Sequence, residues 1–148
     1  EAAYNAGTDT VTLMGRYMGF VPDIETGDPI LGSHGAIGGP WALPLTAHHL
    51  VKTRKKIGNN YPLMATNGAR DGHDIIRFMM SRATAVQMTS TIFTNGYGII
   101  EKSLNQIDNY LDEKNMSSCD LIGLAADRVK TYAQQETRKD YWREFTPE

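Results

Sequence analysis

Three times within 148 residues, a short apolar segment is followed by a turn and then by a stretch with helical spacing. The apolar segments are residues 9–14, 61–65 and 83–88. Their helical partners run from Pro40 to about Ile57, from a cap at Asp71 to about Arg82, and from Tyr97 to about Leu111. In the last of these, Ile99, Ile100, Leu104, Ile107 and Leu111 recur at helical intervals. Strands that alternate with helices need crossover connections, which means a parallel sheet. Strands that are apolar throughout belong in a sheet covered on both faces. Three strands are too few to enclose so much apolar surface, so the chain reads as part of a larger sheet.

Between the first strand and the first long helix, residues 15–40 carry seven glycines and three prolines, which predicts a loop with a small hairpin. Residues 29–32 are the expected edge strand within it. Unstructured connections of this length are usually functional. The loop ends in Gly35-Ala36-Ile37-Gly38-Gly39-Pro40. Adjacent glycines before a helix start let backbone amides approach an anion, although a plain flexible turn has the same composition. The turns Thr66-Asn67-Gly68 and Thr89-Ser90 follow the second and third strands. Parallel strands place all their C-terminal ends together, so the three turns share one rim. In (β/α)8 barrels that rim carries the active site, and the loops after the last two strands commonly hold phosphate.

Arg16 and His34 lie on the same side and are the candidate substrate contacts, Arg16 for an acidic group, with a structural ion pair as its alternative. No metal site is expected. His48 and His49 are adjacent, so on a helix their side chains point about 100° apart, and His34 and His73 lack partners at ligand spacing.

The formal net charge of −2 offers no attraction to nucleic acid or an anionic membrane. No apolar run is long enough to cross a bilayer. One cysteine, Cys119, excludes an internal disulfide and cannot alone hold an iron–sulfur cluster, which fits a reducing, cytoplasmic setting. The opening Glu1-Ala2-Ala3-Tyr4-Asn5 has neither a basic start nor an apolar stretch, and it reads as the end of a helix. The expectation is therefore a processed chain or a piece of a longer one.

Residues 35–44 resemble the Gly-Gly-x-Ser-Gly-x-Ala-x-x-Pro stretch of the dihydroorotate and dihydropyrimidine dehydrogenases. Residues 66–69 stand where that family has a Gly-Gly-Ile turn. Residues 83–91 (Ala-Thr-Ala-Val-Gln-Met-Thr-Ser-Thr) resemble its Gly-Ala-x-x-Val-Gln-Val-(Gly/Cys)-Thr-Ala strand end. Residues 95–100 and 112–123 resemble the dihydropyrimidine dehydrogenase branch most. The likeness covers residues 2–126. It implies the C-terminal portion, about strands six to eight, of an FMN-binding (β/α)8 barrel over residues 1–114, followed by a helical extension over residues 115–148.

The resemblance further implies that Gly38, Gly39, Gly68 and Ser90 contact the FMN phosphate, with Asn67 and Thr89 beside them. The catalytic acid–base loop of the family belongs to the first half of the barrel, so no catalytic residue is assigned here, and Cys119 lies beyond the barrel. The implied partners are the complementary N-terminal half-barrel, a small-molecule substrate and an electron-transfer protein. The chain also departs from the pattern. Gly15-Arg16 replaces the usual Asn-Thr pair, and Ala36, Ala65 and Asn67 replace glycines. The implied activity is hydride transfer through FMN. Such losses also open the alternative of a non-catalytic half-barrel that scaffolds a complex, and fold likeness alone leaves a phosphate-binding barrel of another family.

Overall fold

Three parallel strands form the sheet: β1 (Val11–Leu13), β4 (Leu63–Ala65) and β5 (Ala85–Val86), in the order β1-β4-β5. The computed structural model describes residues 1–136. The strands are matched with no slip, since Thr12 pairs with Met64 and Met64 with Ala85. A helix crosses over between each neighbouring pair, α2 (Leu43–Ile57) before β4 and α3 (Gly72–Met80) before β5.

One face of the sheet is packed. Leu63 and Ala65 from β4 are buried with Leu50 of α2, Phe78 of α3, Tyr61 and Ala83, and Val11, Leu13 and Val86 flank them. Side chains alternate along a strand, so Thr12, Met64 and Ala85 form a row on the other face, where Thr12 and Ala85 are exposed and Met64 is half-buried. Among the described residues nothing covers that row, and neither β1 nor β5 has a second neighbour. These strands are the inner wall of an incomplete barrel.

The glycine-rich loop folds as an antiparallel hairpin of β2 (Tyr17–Gly19) and β3 (Gly35–Ile37). The strand expected at residues 29–32 is absent: Pro29 makes a lone bridge to Pro22, and the backbone then turns at Gly32 with φ +68°. Proline has no amide to extend the ladder. A short helix, α4 (Ser90–Asn95), follows β5 where sequence gave only a turn, and α5 (Gly98–Lys114) comes next.

The apolar stripe of α5 divides. Ile99 and Ser103 are buried, whereas Ile100 and Leu104 are 42% and 55% exposed. The chain opens with α1 (Ala2–Asn5) and returns after α5 through α6 (Ser118–Leu121), where a Ser117–Asp120 capping box starts the helix. Amides of Gly123 and Ala125 bond to the carbonyls of Met79 and Met80, which ties this segment to the end of α3. Arg54, 8% exposed, clamps it from α2 through two nitrogens on Asp127. The polar tail expected as helix enters a 3-10 turn at Tyr132–Gln134, and residues 137–148 lie outside the described residues. No helix among the described residues is long and apolar enough to cross a membrane.

Candidate functional site

The C-terminal ends of β1, β4 and β5 open into a cleft of about 770 Å³, lined by residues 15–16, 36–40, 66–69, 87–91 and Phe93. All three turns singled out in the sequence meet there. Gly38, Gly39, Asn67, Gly68, Thr89, Ser90 and Arg16 line it. His34 is not among the lining residues; it is exposed, with its ring 5.4 Å from that of Phe20.

The turn after β4 is the hub. Asn67 adopts the left-handed conformation with φ +68°. Asparagine is one of the few side chains that tolerates this region, so the backbone course open to a glycine survives its loss. The side chain then does what a glycine cannot. Its Oδ1 accepts the Gly39 amide hydrogen at 3.0 Å, and its Nδ2 donates to the Gly15 carbonyl at 3.1 Å. The rims after β1, β3 and β4 are thereby joined through one residue.

Two buried threonines hold the same turn from behind. Thr46, in the first turn of α2, donates to the carbonyls of Thr66 and Asn67 at 3.2 and 2.9 Å. Thr91, in α4, donates to the Ala69 carbonyl at 2.7 Å. Sequence reading missed both, because a threonine in an apolar helix stripe carries no signal until the carbonyls opposite it are known.

Space around the glycines is tight. A Cβ at Gly68, which has φ +128°, would lie 2.7 Å from the backbone nitrogen and Cα of Leu43. A Cβ at Gly38 would lie 2.7 Å from Asn67 Oδ1. Both glycines are therefore required where backbone or side chain passes close. Among the described residues, the Gly38, Gly68, Thr89 and Ser90 amides and the Thr89 and Ser90 hydroxyls donate to no protein acceptor. Arg16 is the one ionisable side chain among the described lining residues, and it makes no ion pair there. Unspent donors and one cation make this a cleft for an anion.

The chain is 32% identical over 127 residues to the protein named dihydroorotate dehydrogenase B (NAD(+)), catalytic subunit, of Carboxydothermus hydrogenoformans. It is 33% identical over 130 residues to the protein of that name in Methanocella arvoryzae. These matches cover 84% and 87% of this chain. The chain is a relative of the dihydroorotate dehydrogenases. It spans only 40% and 42% of the length of those two relatives.

The fold agrees. A solved structure titled as ligand-free type DHODH from Eimeria tenella superimposes with a TM-score of 0.69 at 17% identity, over 82% of this chain and 34% of that one. The three strand–helix units thus have the fold of part of a (β/α)8 barrel. No protein-family model matches the chain.

Proposed function

We propose that this chain is the cofactor-phosphate portion of a flavin-dependent oxidoreductase of the dihydroorotate/dihydropyrimidine dehydrogenase type. The observation that carries this reading is the convergence of the three rim turns on one cleft rich in unspent donors, in a relative of dihydroorotate dehydrogenases. The residues fit an FMN phosphate: Gly38 and Gly68 leave no room for a Cβ at the rim, and the turn after β5 adds free amides and hydroxyls. Gly38, Gly68, Thr89 and Ser90 form the cradle, Gly39 stands in its wall with its amide held by Asn67, and Arg16 meets an acidic group of the ligand. When bound, FMN supplies the redox chemistry, hydride exchange with a ring carbon of the substrate.

This chain's own residues bind and orient. The described lining residues include no carboxylate, imidazole, thiol, phenol or amine to exchange a proton near neutrality. The acid–base group therefore comes from outside the cleft wall described here. The uncovered Thr12–Met64–Ala85 row and the unpaired edges of β1 and β5 support a complementary half-barrel, on another chain or another segment, as the source. A reducing, cytoplasmic setting suits the one exposed thiol, Cys119. The relatives named above are catalytic subunits, so a purely scaffolding role is not favoured.

A Ser90→Asp variant tests the assignment. Ser90 is exposed, so folding should be unaffected, while a carboxylate in the cradle repels phosphate. The expected result is loss of the flavin that copurifies with the wild type. Full retention of FMN by Ser90→Asp contradicts the assignment.

A further inference from the structure

The glycine turn is not free to bind an anion through all its amides. Gly39 donates to Asn67 Oδ1 at 3.0 Å, and the same Asn67 holds the Gly15 carbonyl at 3.1 Å. That second bond fixes the backbone immediately before Arg16. Arg16 Cγ passes 3.4 Å from the point a Cβ on Gly38 would occupy, so its stem runs alongside Gly38. Its guanidinium has five N–H donors and a permanent charge. It has no counter-ion among the described residues, and no other charge is found among the described residues that line the cleft.

We infer that Arg16 stands in for the Gly39 amide: the ligand's phosphate is held by the Arg16 guanidinium together with the Gly38, Gly68, Thr89 and Ser90 donors, and Asn67 positions Arg16 for it. This rests on the flavin-phosphate reading above. The physical logic is an exchange of donors. A neutral amide is withdrawn into a structural bond, and a charge-assisted, bidentate donor takes its place, which is the stronger contact to a phosphate. Asn67 touches no ligand in this scheme; it ties Gly15 and Gly39 together so that Arg16 lies along the turn.

The test compares FMN with riboflavin, which differs by the phosphate alone. Flavin is removed from the native preparation, with everything that copurifies kept, and both flavins are titrated back by fluorescence quenching. Arg16→Met should weaken FMN binding by about tenfold to a hundredfold, the range expected for a hydrogen bond to a charged group. Riboflavin affinity should be unchanged. Adding Asn67→Gly to Arg16→Met frees the Gly39 amide and should recover part of the lost FMN affinity.

Arg16→Met lowering both affinities alike, or neither, overturns the inference and leaves the flavin site standing. A double variant with no recovery overturns the donor exchange in particular. A wild-type preparation that binds neither flavin overturns this inference and the flavin reading together.

Discussion

Asn67 and Gly39, 28 residues apart, are joined by a 3.0 Å bond from the Gly39 amide to the Asn67 side-chain oxygen. With the 3.1 Å bond to the Gly15 carbonyl, it makes one side chain the keystone of the cleft rim.

The two roles of Asn67 separate by substitution. Asn67→Gly keeps the positive φ and loses two hydrogen bonds, which should cost about 1–2 kcal/mol in urea denaturation. Asn67→Val loses the same bonds and adds backbone strain, for a cost about 1–3 kcal/mol larger. Equal costs for the two variants would show that the left-handed backbone is not needed.

Glycines with positive φ differ in what surrounds them. Gly68→Ala meets the Leu43 backbone at 2.7 Å, whereas an added Cβ at Gly96, with φ +73°, meets nothing within 4 Å. Gly96→Ala should therefore cost about 1 kcal/mol. Gly68→Ala should cost about 3 kcal/mol or more and should also distort the cleft. Thermal melts of the two variants side by side check the ordering.

Acid should loosen α3. The Asp74 side chain, 1% exposed, accepts from Arg70 Nε and Arg77 Nη1, both at 2.8 Å, and from the Arg70 amide at 3.1 Å. Burial works to raise its pKa, but the hydrogen bonds and charge of Arg70, with Arg77, outweigh it and hold the pKa below the ordinary carboxylate value. A depressed folded pKa means that the contribution is complete above the unfolded value near 3.9. It is lost as pH falls below that value and through the lower folded one. Asp74→Asn should destabilise at pH 7 by about 2 kcal/mol. It should also flatten the loss of stability on the acid side, which a pH series of urea midpoints reads directly.

The uncovered sheet predicts how the chain behaves alone. With the outer edges of β1 and β5 unpaired among the described residues, the Thr12–Met64–Ala85 row open and Ile100 and Leu104 exposed, the isolated chain should self-associate. A well-folded, non-associating monomer in size-exclusion chromatography would contradict the half-barrel account.

Much of the fold was legible because strand–helix alternation and apolar strands leave few architectures open. The turns of the cleft were legible too, since small and polar residues at strand ends converge once the strands are parallel. The rest depended on contacts that no local pattern encodes. The helix at Ser90–Asn95 was missed because Ser-Thr-Ile-Phe-Thr-Asn is poor in helix formers. Residues 29–32 are apolar enough to suggest a strand, yet proline and a left-handed glycine turn them away from one. The stripe on α5 is split in the fold: Ile99 is buried and Ile107 and Leu111 are half-buried, whereas Ile100 and Leu104 are exposed. His34 lies on the expected loop, where its ring packs near Phe20 and it is not among the residues that line the cleft.

The most direct measurement is the visible absorption spectrum of the native preparation, taken before any partner is separated and followed by identification of whatever flavin is released. The account predicts flavin bands and free FMN. A colourless, folded preparation that takes up no added FMN would contradict it, because Asn67 would then have closed the phosphate site.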